Sequence, residues 1–148
     1  MGHQITAIIG KREDIEQITE RRRCQTEELP QGFGMVYLTA RLFDDIAAQY
    51  DAPNRTLCAE LTYLTEAVHQ FLREHSRRVK LAYIETDYAG GWGTQAGALY
   101  ENGELTDGTR SGTGTVDRLL RQLGVRRCQG QDEFDSLALY QYRRMPEE

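Results

Sequence analysis

Glu85 and Asp87, followed closely by Tyr88, Trp92 and Gln95, form the densest group of chemically capable side chains in this sequence, within Glu-Thr-Asp-Tyr-Ala-Gly-Gly-Trp-Gly-Thr-Gln-Ala-Gly. Two carboxylates one strand repeat apart can hold a hard cation or split their pKa values for acid and base work. Either use needs further ligands, and no histidine or third carboxylate has a spacing that points to this pair, so no metal is expected. Gly90, Gly91, Gly93 and Gly97 permit positive φ and close backbone approach. Nucleotide-binding fingerprints place such glycines between a strand and a helix N-terminus. Here Thr94 to Gly103 continues as an extended pattern, so the stretch reads as a connection between paired strands. Glu85, Asp87, Tyr88, Trp92 and Gln95 are carried forward as a candidate binding surface.

A second group, Arg110, Ser111, Thr113 and Thr115, lies in Thr106 to Thr115, a glycine, serine and threonine stretch that reads as a loop entering a helix. Amides at a helix N-terminus with an arginine and hydroxyls beside them can surround a phosphate. The lysine of a Walker loop is missing, and a connection followed by a capped helix is the simpler reading. His3, His69 and His75 have no cysteine or carboxylate at a recognised metal spacing. No cofactor is expected, and no catalytic set assembles.

The elements that must position these residues come from a chain of 148 residues, a length suited to one globular domain spanning 1–148. A net charge of −5 argues against a generic nucleic-acid binder, which needs a basic face. Cys24, Cys58 and Cys128 are odd in number and widely spaced, and no run near the N-terminus has the order of a secretory signal. Free thiols and a cytoplasmic location are expected, with no membrane span, since no apolar run approaches the roughly 18 residues required.

Gln4 to Ile9 predicts a strand, and Arg12 to Arg22 a surface helix with Ile15 and Ile18 on its apolar stripe. Phe33 to Leu38 predicts a second strand, and Thr39 is placed to cap a helix carrying Leu42, Phe43, Ile46, Ala47 and Tyr50. Leu57, Leu61, Leu64, Val68, Phe71 and His75 recur at helical spacing, predicting one long helix capped by Asn54 or Thr56 and running to about Glu74. Val79 to Thr86 and Gln95 to Tyr100 predict a hairpin. Val116, Leu119, Leu120 and Leu123 predict a helix stopped by Gly124, with Val125 supplying the apolar contact. The tail predicts a short helix and an extended end. The expected class is α+β: one mixed or antiparallel sheet of about four strands with helices mainly on one face.

Tyr83 to Leu99, together with Leu119 to Val125 and Asp132 to Arg143, resembles a group of small bacterial proteins. They share a Tyr-x-Glu-Thr-Asp/Glu-Tyr-x-Gly-Gly-x-Gly-x-Gln segment. The resemblance implies a bacterial source and brings no activity, so no residue role transfers with it. A protein-interaction module of the accessory or immunity type, with a protein partner and as monomer or homodimer, is the leading expectation. The alternative is a small enzyme or binder of a phosphate-bearing molecule at Arg110 to Thr115.

Overall fold

Strand β1 (Gly2–Lys11) turns Ile5, Ala7 and Ile9 to one side and Thr6 and Ile8 to the other, and all five are buried. A strand covered on both faces belongs in the middle of a sheet with packing above and below it. A computed structural model describes residues 2–53, 55–89, 92–112 and 114–147 and has β1 in that position.

The other strands are β2 (Glu27–Glu28), β3 (Phe33–Tyr37), β4 (Lys80–Ala89), β5 (Trp92–Glu101) and β6 (Glu104–Ser111). They form one open antiparallel sheet in the order β2-β3-β1-β4-β5-β6. The fold is α+β, with six strands where about four were predicted. Most of β6 falls in the stretch read as a loop. Ala96 to Tyr100 of β5 are buried on both faces, so their outward backbone groups need a neighbouring strand, and β6 supplies it despite a composition that reads as loop.

Helices lie on both faces, which corrects the expectation of helices mainly on one face. On the first, α1 (Arg12–Arg22), α2 (Ala40–Gln49) and α3 (Glu66–His75) pack Ile15, Ile18, Leu42, Ile46, Val68 and Phe71 onto Ile8, Tyr83 and Tyr100. On the second, α4 (Thr115–Leu123), α5 (Glu133–Ser136) and a 3-10 turn at Leu139–Gln141 pack Val116, Leu119, Leu120, Leu137 and Leu139 onto Ile5, Ile84 and Leu99. Among the described residues no helix is long and apolar enough to cross a membrane.

Local signals decide most element ends. The Thr39 hydroxyl accepts the Leu42 N–H at 3.2 Å, as its position predicts. At the end of α4, Val125 N–H donates to Leu120 O at 3.0 Å and Gly124 N–H to Arg121 O at 3.1 Å. This crossed pair is a Schellman ending, and Val125 is buried beside it.

The long predicted helix is the largest correction: only Glu66–His75 is helical, capped by Thr65, whose hydroxyl accepts the Val68 N–H at 3.3 Å. The preceding segment folds back on itself. Leu57 N–H donates to Leu64 O and Glu66 N–H to Arg55 O, and Thr56 bridges Thr65. Leu61 and Leu64 are buried as the periodicity requires, but Leu57 is 38% exposed. Helix propensity is a weak prior, and cross-segment hydrogen bonds override it here.

Candidate functional site

β4 and β5 pair up to the residues that flank the glycine-rich stretch, Asp87 with Thr94, Tyr88 with Gly93 and Ala89 with Trp92. Strand alternation divides the five residues carried forward from the sequence. Glu85 and Asp87 share the face of α1 to α3, whereas Tyr88 and Gln95, the latter opposite Thr86, share the face of α4. Gly90, Gly91 and Thr113 lie outside the described residues, and the side chains of Trp92, Arg110 and Ser111 lie outside what is described.

Asp87 is exposed. Glu85 is engaged: Oε1 accepts the Thr62 N–H at 2.9 Å, and Oε2 accepts the Tyr63 N–H at 2.9 Å and the Tyr83 hydroxyl at 2.6 Å. Tyr83 is fully buried, and burial, reinforced by the Glu85 charge, raises its phenol well above the usual pKa, so it remains a donor. This carboxylate therefore holds the segment before α3 against the sheet. The segment presents Tyr63, 50% exposed, with Phe43 of α2 edge-on at 6.4 Å. Neither aromatic was a candidate from sequence, because the helical reading of Thr56 to Glu74 gave no reason for Tyr63 to project.

On the opposite face His3, 4% exposed, is the residue that sequence reasoning passed over. Its Nδ1 lies 2.7 Å from Thr86 Oγ1 and its Nε2 2.9 Å from Leu139 O. The carbonyl can only accept, so Nε2 carries the proton and Nδ1 accepts from Thr86, whose oxygen in turn accepts the Ile5 N–H at 3.0 Å. Burial lowers the His3 pKa; the bond to Leu139 works against this and nearby Arg143 adds to it. Tyr88 stacks on His3 with centroids 5.5 Å apart and planes 9° apart, and Phe134 meets the imidazole edge-on at 5.0 Å.

Gln95 joins this cluster to α4 by accepting the Val116 N–H at 3.3 Å. Burial raises the Tyr88 phenol; a hydrogen bond with Gln95 opposes the shift, and Asp132, Asp135 and Asp117 add to it. Asp117 accepts the Phe134 N–H at 2.8 Å. Its carboxyl is raised by burial, with Asp132 and Glu133 adding to the effect and the Phe134 N–H opposing it.

The backbone of Arg110 and Ser111 belongs to β6, opposite Gly97 and Ala96. Thr115 is buried as the first residue of α4. Its N–H donates to Gly112 O at 3.3 Å, so with Val116 bound to Gln95 two of the amides suited to an anion already have partners. Gly112 N–H donates to Gln95 O at 2.9 Å, which places the two candidate segments side by side. Gly97 has no room for a side chain: a Cβ there would lie 2.5 Å from both Leu119 Cδ1 and Tyr83 O, so α4 approaches β5 through this glycine.

Two surface clefts lie elsewhere. One of about 400 Å³, bordered by Lys11, Asp14, Arg78, Lys80 and Glu101, sits at the opposite end of the strands. One of about 280 Å³ is bordered by Arg21, Arg22, Gln49, Glu74 and His75. Neither includes a residue carried forward from the sequence. Asp87, Asp117 and Asp132 lie toward one end of the sheet, and the cleft at the far end sets Lys11, Arg78 and Lys80 among Glu13, Asp14 and Glu101. Among the described residues no three histidine, cysteine, aspartate or glutamate side chains converge as a metal site requires. Compared with protein-family models, with curated proteins and with solved structures, the chain matches none of them.

Proposed function

We propose that this chain is a protein-interaction module, of the accessory or immunity type, that engages its partner with the glycine-turn end of the sheet. The observation that carries the reading is the use of Glu85. A carboxylate already accepting three hydrogen bonds orders a surface and is poorly placed to shuttle protons. Gln95 is similarly occupied at the start of α4, and Thr115 is buried. Among the described residues at this end, Asp87, Thr94 and the ordered Tyr63 segment are accessible, a surface suited to a macromolecule.

The alternative, an anion binder at Arg110 to Thr115, draws support from the adjacency of that segment to Gln95. The nearby Asp117 and Asp132 oppose an anion there.

The test is binding by the whole chain. Asp87→Lys and Trp92→Ala are expected to weaken association with a partner purified from the native host by at least about tenfold, a loss typical of an interface residue. Unchanged affinity in both variants overturns the reading. Saturable quenching of tryptophan emission by inorganic phosphate, abolished by Arg110→Ala, would favour the alternative.

A further inference from the structure

Resting on that reading, the geometry points to Tyr63 as the anchor of the interface and to a basic protein, one presenting a lysine- or arginine-rich surface, as the partner. An exposed tyrosine offers a large amphipathic surface with few rotatable bonds, which is why tyrosines recur among residues that dominate binding. Tyr63 is half exposed yet held: Glu85 fixes its backbone N–H, and Phe43 supports its ring. Little conformational freedom therefore remains to be lost on association.

The charge around it selects the partner. Segment 40–65 carries Asp44, Asp45, Asp51 and Glu60 against Arg41 and Arg55, Arg22 reaches the end of α2 at Gln49, and Asp87 stands exposed at the end of β4. Arg55 is paired with Glu66 at 3.0 Å. On the other face of the same sheet end, Asp117, Asp132 and Asp135 surround the Tyr88 phenol, while Arg143 approaches His3. The cleft at the far end of the strands is mixed, with Lys11, Arg78 and Lys80 set among Glu13, Asp14 and Glu101. The field beside the exposed aromatic is thus negative, from the local excess of carboxylates. Such a field attracts a cationic surface and repels an acidic one.

The experiment places p-benzoylphenylalanine at position 63, and separately at 92 and 140, in the full chain in its native host, followed by irradiation. Tyr140 is the control, being 44% exposed in the C-terminal segment. A covalent adduct from 63, absent from 140, with a protein of net positive charge is expected. With that protein purified, Tyr63→Ala should weaken binding about 30-fold or more and Tyr140→Ala less than about twofold. The affinity should fall between 50 and 300 mM salt, concentrations at which surface charges become screened. Tyr63→Phe, which keeps the ring, should bind nearly as the parent does and controls for folding. An adduct with an acidic protein or with a second copy of the chain overturns the basic-partner inference, as does binding insensitive to Tyr63→Ala. Adducts from 92 alone overturn the anchor and leave the protein-interaction reading standing. Adducts from neither position overturn both.

Discussion

Glu85 holds Tyr63 across the first face of the sheet, the carboxylate of one accepting the backbone N–H of the other at 2.9 Å. The same carboxylate takes the Thr62 N–H and the Tyr83 hydroxyl, so a single side chain joins strand, buried phenol and exposed loop. Glu85→Ala is expected to destabilise the fold by about 1–3 kcal/mol, because it leaves a buried hydroxyl and two amides without their acceptor. Urea unfolding gives the size of the loss. Hydrogen exchange should show the Thr62 and Tyr63 amides accelerated well before those of β4. Unchanged exchange at both amides would refute the clamp.

Gly97 tests how tightly α4 sits on β5. Gly97→Ala puts a methyl group 2.5 Å from Leu119 Cδ1 and from a backbone oxygen that cannot move aside. A loss of about 1–3 kcal/mol or more is expected, as for overpacking a close-packed interior. Pairing it with Leu119→Ala should recover only part of this, since the clash with Tyr83 O persists. A neutral Gly97→Ala in chemical denaturation would contradict the described approach of helix to strand.

Gln95 caps α4 from a neighbouring strand. Removing its side chain with Gln95→Ala should cost about 0.5–2 kcal/mol, the range for a lost N-terminal cap. Gln95→Glu should retain the acceptor but add charge beside Asp117, and is expected to fall between the two. Midpoints of denaturant unfolding rank the three proteins. If Gln95→Ala equals the parent, the contact with Val116 contributes nothing.

His3, His69 and His75 all have folded-state pKa values lowered from 6.5, each chiefly by burial. The unfolded chain therefore binds more protons than the folded one between the folded values and 6.5. Stability from these groups is complete above about pH 6.5 and declines as pH falls below it, by up to one proton per histidine. His3→Gln should flatten this dependence, because the amide cannot gain the charge that folding excludes. Unfolding free energies measured from pH 7.5 to 5 check the slope. A profile that is flat through this range in the parent would contradict the assignment.

Several elements were legible because short-range patterns determine them. The β-rich runs Gln4 to Ile9 and Val79 to Thr86 specify strands, and Thr39 and Gly124 mark helix ends through local hydrogen bonds. The pairing of the two strands that flank the glycine-rich stretch was legible for the same reason. By itself the sequence also determined the acidic balance and the crowding of carboxylates and aromatics near residue 85.

Tertiary structure alone decided the rest. β6 is a strand because β5 needs a neighbour, a requirement absent from the local composition of Thr106 to Ser111. The segment before α3 is not helical because its amides find Glu85 and each other, which no periodicity encodes. Glu85 became a clamp, and Asp87 an exposed charge, because only one of them faces backbone donors contributed from more than twenty residues away in sequence. His3 and Tyr63 joined the site for the same physical reason: a side chain's neighbours across a sheet are set by register and packing, and those relationships exist only once the chain has folded.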